Sequence, residues 1–186
     1  MHNNGSKALF LDRDGVVNID HGYISSFERF EFIYGVFEAC LNFQADGYKI
    51  IIITNQSGIA RGYFSPTEFE ELTNWMCQQF AARGVKITAV YHCPHHPSEG
   101  LSPFVKDCQC RKPKPGLLLN AISEHGIDPN LSIMVGDRYS DILAAASAGV
   151  KHKVLVRSGE LVCNQDFGLV DAIWPSLYDF AFNPYR

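Results

Sequence analysis

Nowhere in the 186 residues does an apolar run approach the roughly 20 residues that a membrane-spanning helix needs. The opening Met1-His2-Asn3-Asn4-Gly5-Ser6-Lys7 is short and polar, without the apolar stretch of a signal peptide, so a soluble cytoplasmic protein with no membrane partner is expected. Basic residues are not in excess either: 16 Lys and Arg face 20 Asp and Glu, a formal net charge of −4. Neutralising a run of phosphates needs the opposite balance, so no nucleic-acid partner is expected. Repeats and low-complexity tracts are missing, as is any sizeable insertion after the first or second predicted strand that could build a large cap domain. The composition does supply 46% hydrophobic and 12% aromatic residues, enough apolar surface to offset the entropy of ordering one core. The expectation is a single domain over residues 1–186, working as a monomer.

Short β-rich runs alternate with segments of helical period, which predicts an α/β fold: a doubly wound parallel sheet with helices on both faces, three layers in all. The predicted strands are Ala8 to Leu11, Lys49 to Thr54, Ile87 to Tyr91, Ile133 to Val135 and Lys153 to Val156, with a last one near Ala172 and Ile173 and a short closing helix or tail. Val36, Ala39, Cys40 and Phe43 recur at helical spacing before Gly47. Ser65, Pro66 and Glu68 have the arrangement of a capping box opening a helix whose buried stripe is Phe69, Leu72, Met76 and Phe80. Two further helices are expected from Gly116 to His125 and from Ser140 to Ala148, stopped by Gly126 and Gly149.

Residues 92–114 fit neither period. Four prolines, Gly100 and three cysteines make this stretch a long loop, and a loop of such length in a compact domain carries a function or a staple. Cys93, Cys108 and Cys110 supply three soft sulfurs and the neighbouring histidines an imidazole, a donor set for a closed, tetrahedral, structural Zn²⁺. Spacing leaves the nitrogen ligand open among His92, His95 and His96. Cys40, Cys77 and Cys163 are read as ordinary buried or partly buried thiols.

Chemistry is suggested where strands end. Asp12 and Asp14 follow an apolar strand, and carboxylates one residue apart can share a hard cation such as Mg²⁺. After the second strand come Thr54, Asn55, Gln56 and Ser57, a hydroxyl plus backbone N–H groups able to cradle an anion. Lys112, between the cysteine loop and a helix, is restrained by Pro113 and Pro115. Asp137 ends the fourth strand, and Asp141 beyond it is read as a helix cap. Taken singly, each is as easily a turn or a solvated face. Their common placement and their order of acid pair, hydroxyl, lysine and acid are what point to one site.

That order resembles the haloacid-dehalogenase-like phosphohydrolases, over the chain from about Ala8 to Trp174. The resemblance implies that Asp12 is the nucleophile and Asp14 the general acid and base, which must start protonated. It further implies that Asp12, Asp137 and Asp14, the last through its backbone carbonyl, hold Mg²⁺, and that Thr54 and Lys112 neutralise the transferring phosphoryl group. Among the three histidines it favours His95 as the zinc ligand. Many members carry Thr after Asp-x-Asp-Gly; here Val16 and Val17 follow, so a hydroxyl contact is missing.

Within that family, Asp20-His21-Gly22-Tyr23, the run from Thr54 to Gly62, Cys93-Pro94-His95-His96-Pro97 and Cys108-Gln109-Cys110-Arg111-Lys112-Pro113 look like the heptose-1,7-bisphosphate 7-phosphatases. These make heptose 1-phosphate for lipopolysaccharide and related glycans. The likeness implies a small phosphorylated sugar as substrate, lined by Asp20, His21, Gly22, Tyr23, Thr54, Asn55, Gln56 and Ser57, with Lys112 on its phosphate and Arg111 and Arg138 assisting recognition. Histidinol-phosphate phosphatases are similar zinc-containing enzymes, but they usually carry an acid where Ser57 stands, which would suit a substrate amine and repel a bisphosphate. A zinc-stabilised binding module without catalysis is the alternative of another class.

Overall fold

A computed structural model describes residues 5–159 and 168–184. Cys163, expected to be an ordinary thiol, lies outside the described residues. In chain order the elements are β1 (Ala8–Leu11), α1 (Val36–Ala45), β2 (Lys49–Asn55), α2 (Pro66–Ala81), β3 (Ile87–Cys93), α3 (Gly116–His125), β4 (Ile133–Gly136), α4 (Tyr139–Ser147), β5 (His152–Val156), β6 (Ala172–Trp174) and α5 (Leu177–Ala181). The strands form one sheet in the order β3-β2-β1-β4-β5-β6, and every neighbouring pair is parallel. This is the doubly wound order, which reverses direction between β1 and β4 and opens a crevice there at the strands' carboxyl ends.

Strand alternation divides the apolar residues between two cores. Leu9, Leu11, Ile50, Ile52, Ile133 and Val135 face α1, α2 and α5, whereas Ala8, Phe10, Ile51, Ile53 and Met134 face α3 and α4. Because β1 and β2 are covered on both sides, they read as unbroken apolar runs rather than as alternating ones. Each fully buried Ile or Leu contributes roughly 1.5–3 kcal/mol, so the central strands anchor the loops that leave them. Val16 and Val17, which replace the family's hydroxyl position, are completely buried in the first of these cores.

The capping box of α2 is formed, with Glu68 N–H donating to Ser65 Oγ at 3.1 Å and Ser65 N–H to Glu68 Oε2 at 2.7 Å. Several boundaries differ from expectation by one or two residues: β2 ends at Asn55, β4 at Gly136, β5 begins at His152 and α4 ends at Ser147. β3 runs on to Cys93, pairing His92 with Thr54 and Cys93 with Asn55, so the cysteine loop starts only at Pro94, whose ring cannot donate to the ladder. Helix α4 begins at Tyr139. The connections 12–35 and 56–65 carry no helix beyond the 3-10 turn Phe27–Arg29, so no large cap covers the carboxyl end of the sheet. Among the described residues no helix is long and apolar enough to cross a membrane.

Candidate active site

β1 delivers Asp12 and β4 delivers Asp137 to the crevice between them, and α4 adds Asp141 from its first turn. One oxygen of each acid lies within 4.8 Å of the others, and all three residues are buried. Lys112 is the cation set among them: its Nζ is 2.8 Å from Asp12 Oδ1 and 2.5 Å from Asp141 Oδ1, and donates to the Ile53 carbonyl at 2.8 Å. Although burial opposes it, the two carboxylates hold the amine well above its ordinary range. Asn55 fixes the lysine's backbone from both sides, accepting from Lys112 N–H at 3.0 Å and donating to its carbonyl at 3.1 Å. Asp141 was read from sequence as a cap. It is one, accepting from Arg138 N–H at 3.0 Å through Oδ2, but its other oxygen belongs to the cluster.

Three carboxylates and one ammonium leave surplus negative charge in a buried place. Burial, followed by the charges of Asp12 and Asp141, pushes Asp137 up to about 8, and burial likewise pushes Asp12 up to about 6 despite Lys112. Neither carboxylate oxygen of Asp137 has a hydrogen-bond partner among the described residues. An all-oxygen, electron-rich cluster with an orphaned buried carboxylate fits a hard divalent cation such as Mg²⁺.

Asp14 departs from two expectations. Its carboxylate is not part of that cluster, so the acid pair does not share a cation through both side chains. Instead it accepts from Arg13 Nη2 at 2.9 Å, from Asn18 Nδ2 at 3.0 Å and from Gln56 Nε2 at 2.9 Å. Although burial opposes it, Arg13 and these donors together hold the group below its ordinary value, as a carboxylate rather than the protonated acid expected. Arg13 itself is 1% exposed and sits with its guanidinium carbon 5.9 Å and 5.8 Å from the ring centres of Phe30 and Phe69.

Above the acids opens a cavity of about 530 Å³, lined by Asp12, Asp14, Asp20, Gly22, Tyr23, Asn55, Gln56, Ser57, Arg111, Lys112 and Arg138 among others. Arg138 pairs with Asp20 at 3.0 Å, and Arg111 donates to the His95 carbonyl at 3.2 Å. Two expected lining residues are not there. Thr54 is buried on β2, where its Oγ1 accepts from Gln56 Nε2 at 2.8 Å, and His21 turns outward to Glu31 at 3.4 Å. Arg61, Gly58 and Ser140 line the cavity without having been singled out as site residues: Gly58 and Arg61 stand in a turn, where sequence period carries no signal, and Ser140 in the first turn of α4.

The sulfurs of Cys93, Cys108 and Cys110 converge with Nδ1 of His95, each donor within 4.8 Å of the others. Separations of 2.9 Å for Cys93–Cys110 and 3.2 Å for His95–Cys110 are too long for covalent bonds. Three sulfurs and one imidazole suit tetrahedral Zn²⁺. The other histidines are occupied elsewhere: His92 packs at a tilt against Phe69 with centroids 4.2 Å apart, and His96 Nδ1 accepts from Glu99 N–H at 2.9 Å.

A family profile described as HAD-hydrolase-like matches residues 109–165. The D-glycero-β-D-manno-heptose-1,7-bisphosphate 7-phosphatase of Pasteurella multocida is 54% identical over 154 residues, 83% of each chain. The enzyme of the same name from Haemophilus influenzae is 49% identical over 174 residues, 94% of each chain. Among solved structures, D,D-heptose 1,7-bisphosphate phosphatase from B. bronchiseptica, complexed with magnesium and phosphate, superimposes with a TM-score of 0.79 at 29% identity, covering 94% of this chain and 96% of that one.

Proposed function

Since the chain belongs to the heptose-1,7-bisphosphate 7-phosphatases of the haloacid-dehalogenase-like hydrolases, we propose that it removes the C7 phosphate of D-glycero-D-manno-heptose 1,7-bisphosphate, within heptose precursor synthesis for lipopolysaccharide. The observation that carries the chemistry is the buried quartet at the switch point, Asp12, Lys112, Asp141 and Asp137. An Oδ of Asp12 attacks phosphorus, the bond from phosphorus to the C7 oxygen breaks, and Asp14 gives that oxygen a proton. Water then attacks the aspartyl phosphate and returns a proton to Asp14, releasing inorganic phosphate and restoring Asp12.

Asp14 must therefore acquire its proton after the resting state, and a phosphate dianion arriving beside it favours this by raising its proton affinity. Lys112 holds one oxygen of Asp12 and contributes its charge to the transferring group. Mg²⁺, held by Asp12, Asp137 and the Asp14 carbonyl, neutralises phosphate charge when bound. Zn²⁺ on Cys93, His95, Cys108 and Cys110 is structural and orders the loop that ends in Arg111 and Lys112. Asp20, Gly22, Tyr23, Asn55, Gln56, Ser57, Arg111 and Arg138 line the sugar. The whole chain acts as one domain, as a monomer in the cytoplasm.

Phosphate release measured with heptose 1,7-bisphosphate against histidinol phosphate tests the reading. A clear preference for the bisphosphate that disappears in Asp12→Asn is expected. A preference for histidinol phosphate would assign the other substrate, and full activity in Asp12→Asn would remove the enzyme reading.

A further inference from the structure

Arg61 enters the cavity from the turn that follows Thr54–Ser57, its own N–H donating to the Ser57 carbonyl at 3.0 Å. The zinc loop grips this turn at its backbone. Ala60 N–H donates to the Pro94 carbonyl at 3.2 Å and Leu101 N–H to the Ala60 carbonyl at 2.7 Å. Gly100, at φ +120°, leaves no room for a Cβ against that carbonyl, so the approach requires glycine. The same loop grips the side chain. Nη1 of Arg61 bonds Glu99, Nη2 lies 3.2 Å from His96 Nε2, and Nε is buried with no hydrogen-bond partner among the described residues.

Glu99 takes one of the guanidinium's five N–H donors and Nε is buried, which leaves N–H groups on Nη1 and Nη2 for a ligand in the cavity that Arg61 lines. Tyr23, another lining residue, lies with its ring centre 5.9 Å from the guanidinium carbon. Lys112 serves the reacting centre between Asp12 and Asp141, Arg138 is paired with Asp20, and Arg111 bonds the His95 carbonyl. A bisphosphate brings a second dianion that the reacting centre does not neutralise. Resting on the proposed bisphosphatase activity, we propose that Arg61 is a specificity-determining residue that binds the substrate's non-reacting phosphate, with Glu99 as a positioning residue that keeps its guanidinium at the cavity wall. A planar fork matches phosphate geometry, and an arginine already held in place loses less freedom when the anion arrives. Zinc is thereby coupled to substrate choice, because the metal orders the loop that holds Arg61.

The test compares kcat/KM for heptose 1,7-bisphosphate with that for heptose 7-phosphate, using the full chain loaded with Mg²⁺ and Zn²⁺. In Arg61→Met the ratio of the two should fall about tenfold or more, mainly through a higher KM for the bisphosphate. Arg61→Lys should recover part of it, and Glu99→Gln should move it in the same direction by less. Zinc content and melting temperature, measured alongside, guard against a folding defect. Should Arg61→Met not fold, Arg61→Lys and Glu99→Gln carry the test, and wild-type ratios in both would overturn the proposal. Wild-type enzyme that prefers the bisphosphate, combined with Arg61→Met that keeps the full preference, would also overturn it while leaving the activity standing. Wild-type enzyme with no preference would instead remove the activity and the proposal together.

Discussion

Asp137 concentrates the electrostatic tension of the site. In an unfolded chain its carboxyl loses the proton near the ordinary 3.8, whereas in the folded, metal-free protein burial and the neighbouring acids hold it to about 8. Between those values the folded state binds one proton more than the unfolded state, so the stability of the metal-free protein falls as pH rises through that window. A divalent cation removes the penalty by pairing with the carboxylate, and it competes with the proton. The rise in melting temperature caused by Mg²⁺ should therefore be larger near pH 8 than near pH 6, and Asp137→Asn should flatten the difference. Equal rises for the wild-type protein at both pH values would mean that Asp137 is no ligand. Lys112 tests the same cluster from the cationic side. Lys112→Met strands Asp12 and Asp141 as buried unpaired charges, so a loss of about 3–5 kcal/mol in urea unfolding without metal is expected. Its kcat should fall by about 10²–10³-fold, the size of a lost preorganised charge contact.

Among the elements, the loop from Pro94 to Pro115 does the most with the least regular structure. Its order comes from the Cys93, His95, Cys108 and Cys110 cluster, from its grip on Ala60 and from Asn55 clamping Lys112. If the cluster holds zinc as proposed, stripping it under reducing conditions should lower the melting temperature and reduce turnover with Mg²⁺, because Arg111 and Lys112 follow Cys110 directly. A preparation free of zinc by metal analysis yet fully active would break that link. Helix α2 illustrates the opposite case, an element written into local sequence. Ser65→Ala removes the acceptor for Glu68 N–H and should cost about 1 kcal/mol of stability, with KM unmoved. Caps and apolar stripes act over a few residues, so this helix could be placed from the letters alone. The end of β3 could not, since His92 and Cys93 extend the strand only because Thr54 and Asn55 lie alongside to pair with them.

At the scale of the molecule, three connections meet around one carboxylate. Ideal Cβ atoms on Gly15 and Gly159 would both collide with the side chain of Asp137, and Ser158 Oγ donates to the Gly15 carbonyl at 2.7 Å. Gly15→Ala, at φ +86°, should cost about 1–3 kcal/mol through overpacking and displace Asp137, lowering kcat and Mg²⁺ affinity together. An unchanged Mg²⁺ titration would show that the three connections are not packed so tightly. Sequence by itself determined the alternation of strands and helices, the residues at the strand ends and the cysteine cluster, because apolar period, capping and ligand type are properties of neighbouring residues. The resemblance already favoured His95 over His92 and His96, and the fold places it with the sulfurs; only the tertiary structure decided that Asp141 shares Lys112 with Asp12, that Asp14 is held ionised by Arg13 and Gln56, and that His21 faces away. Each of those outcomes depends on the distance and burial of groups brought together by the sheet order, and neither quantity is a property of a short stretch of chain.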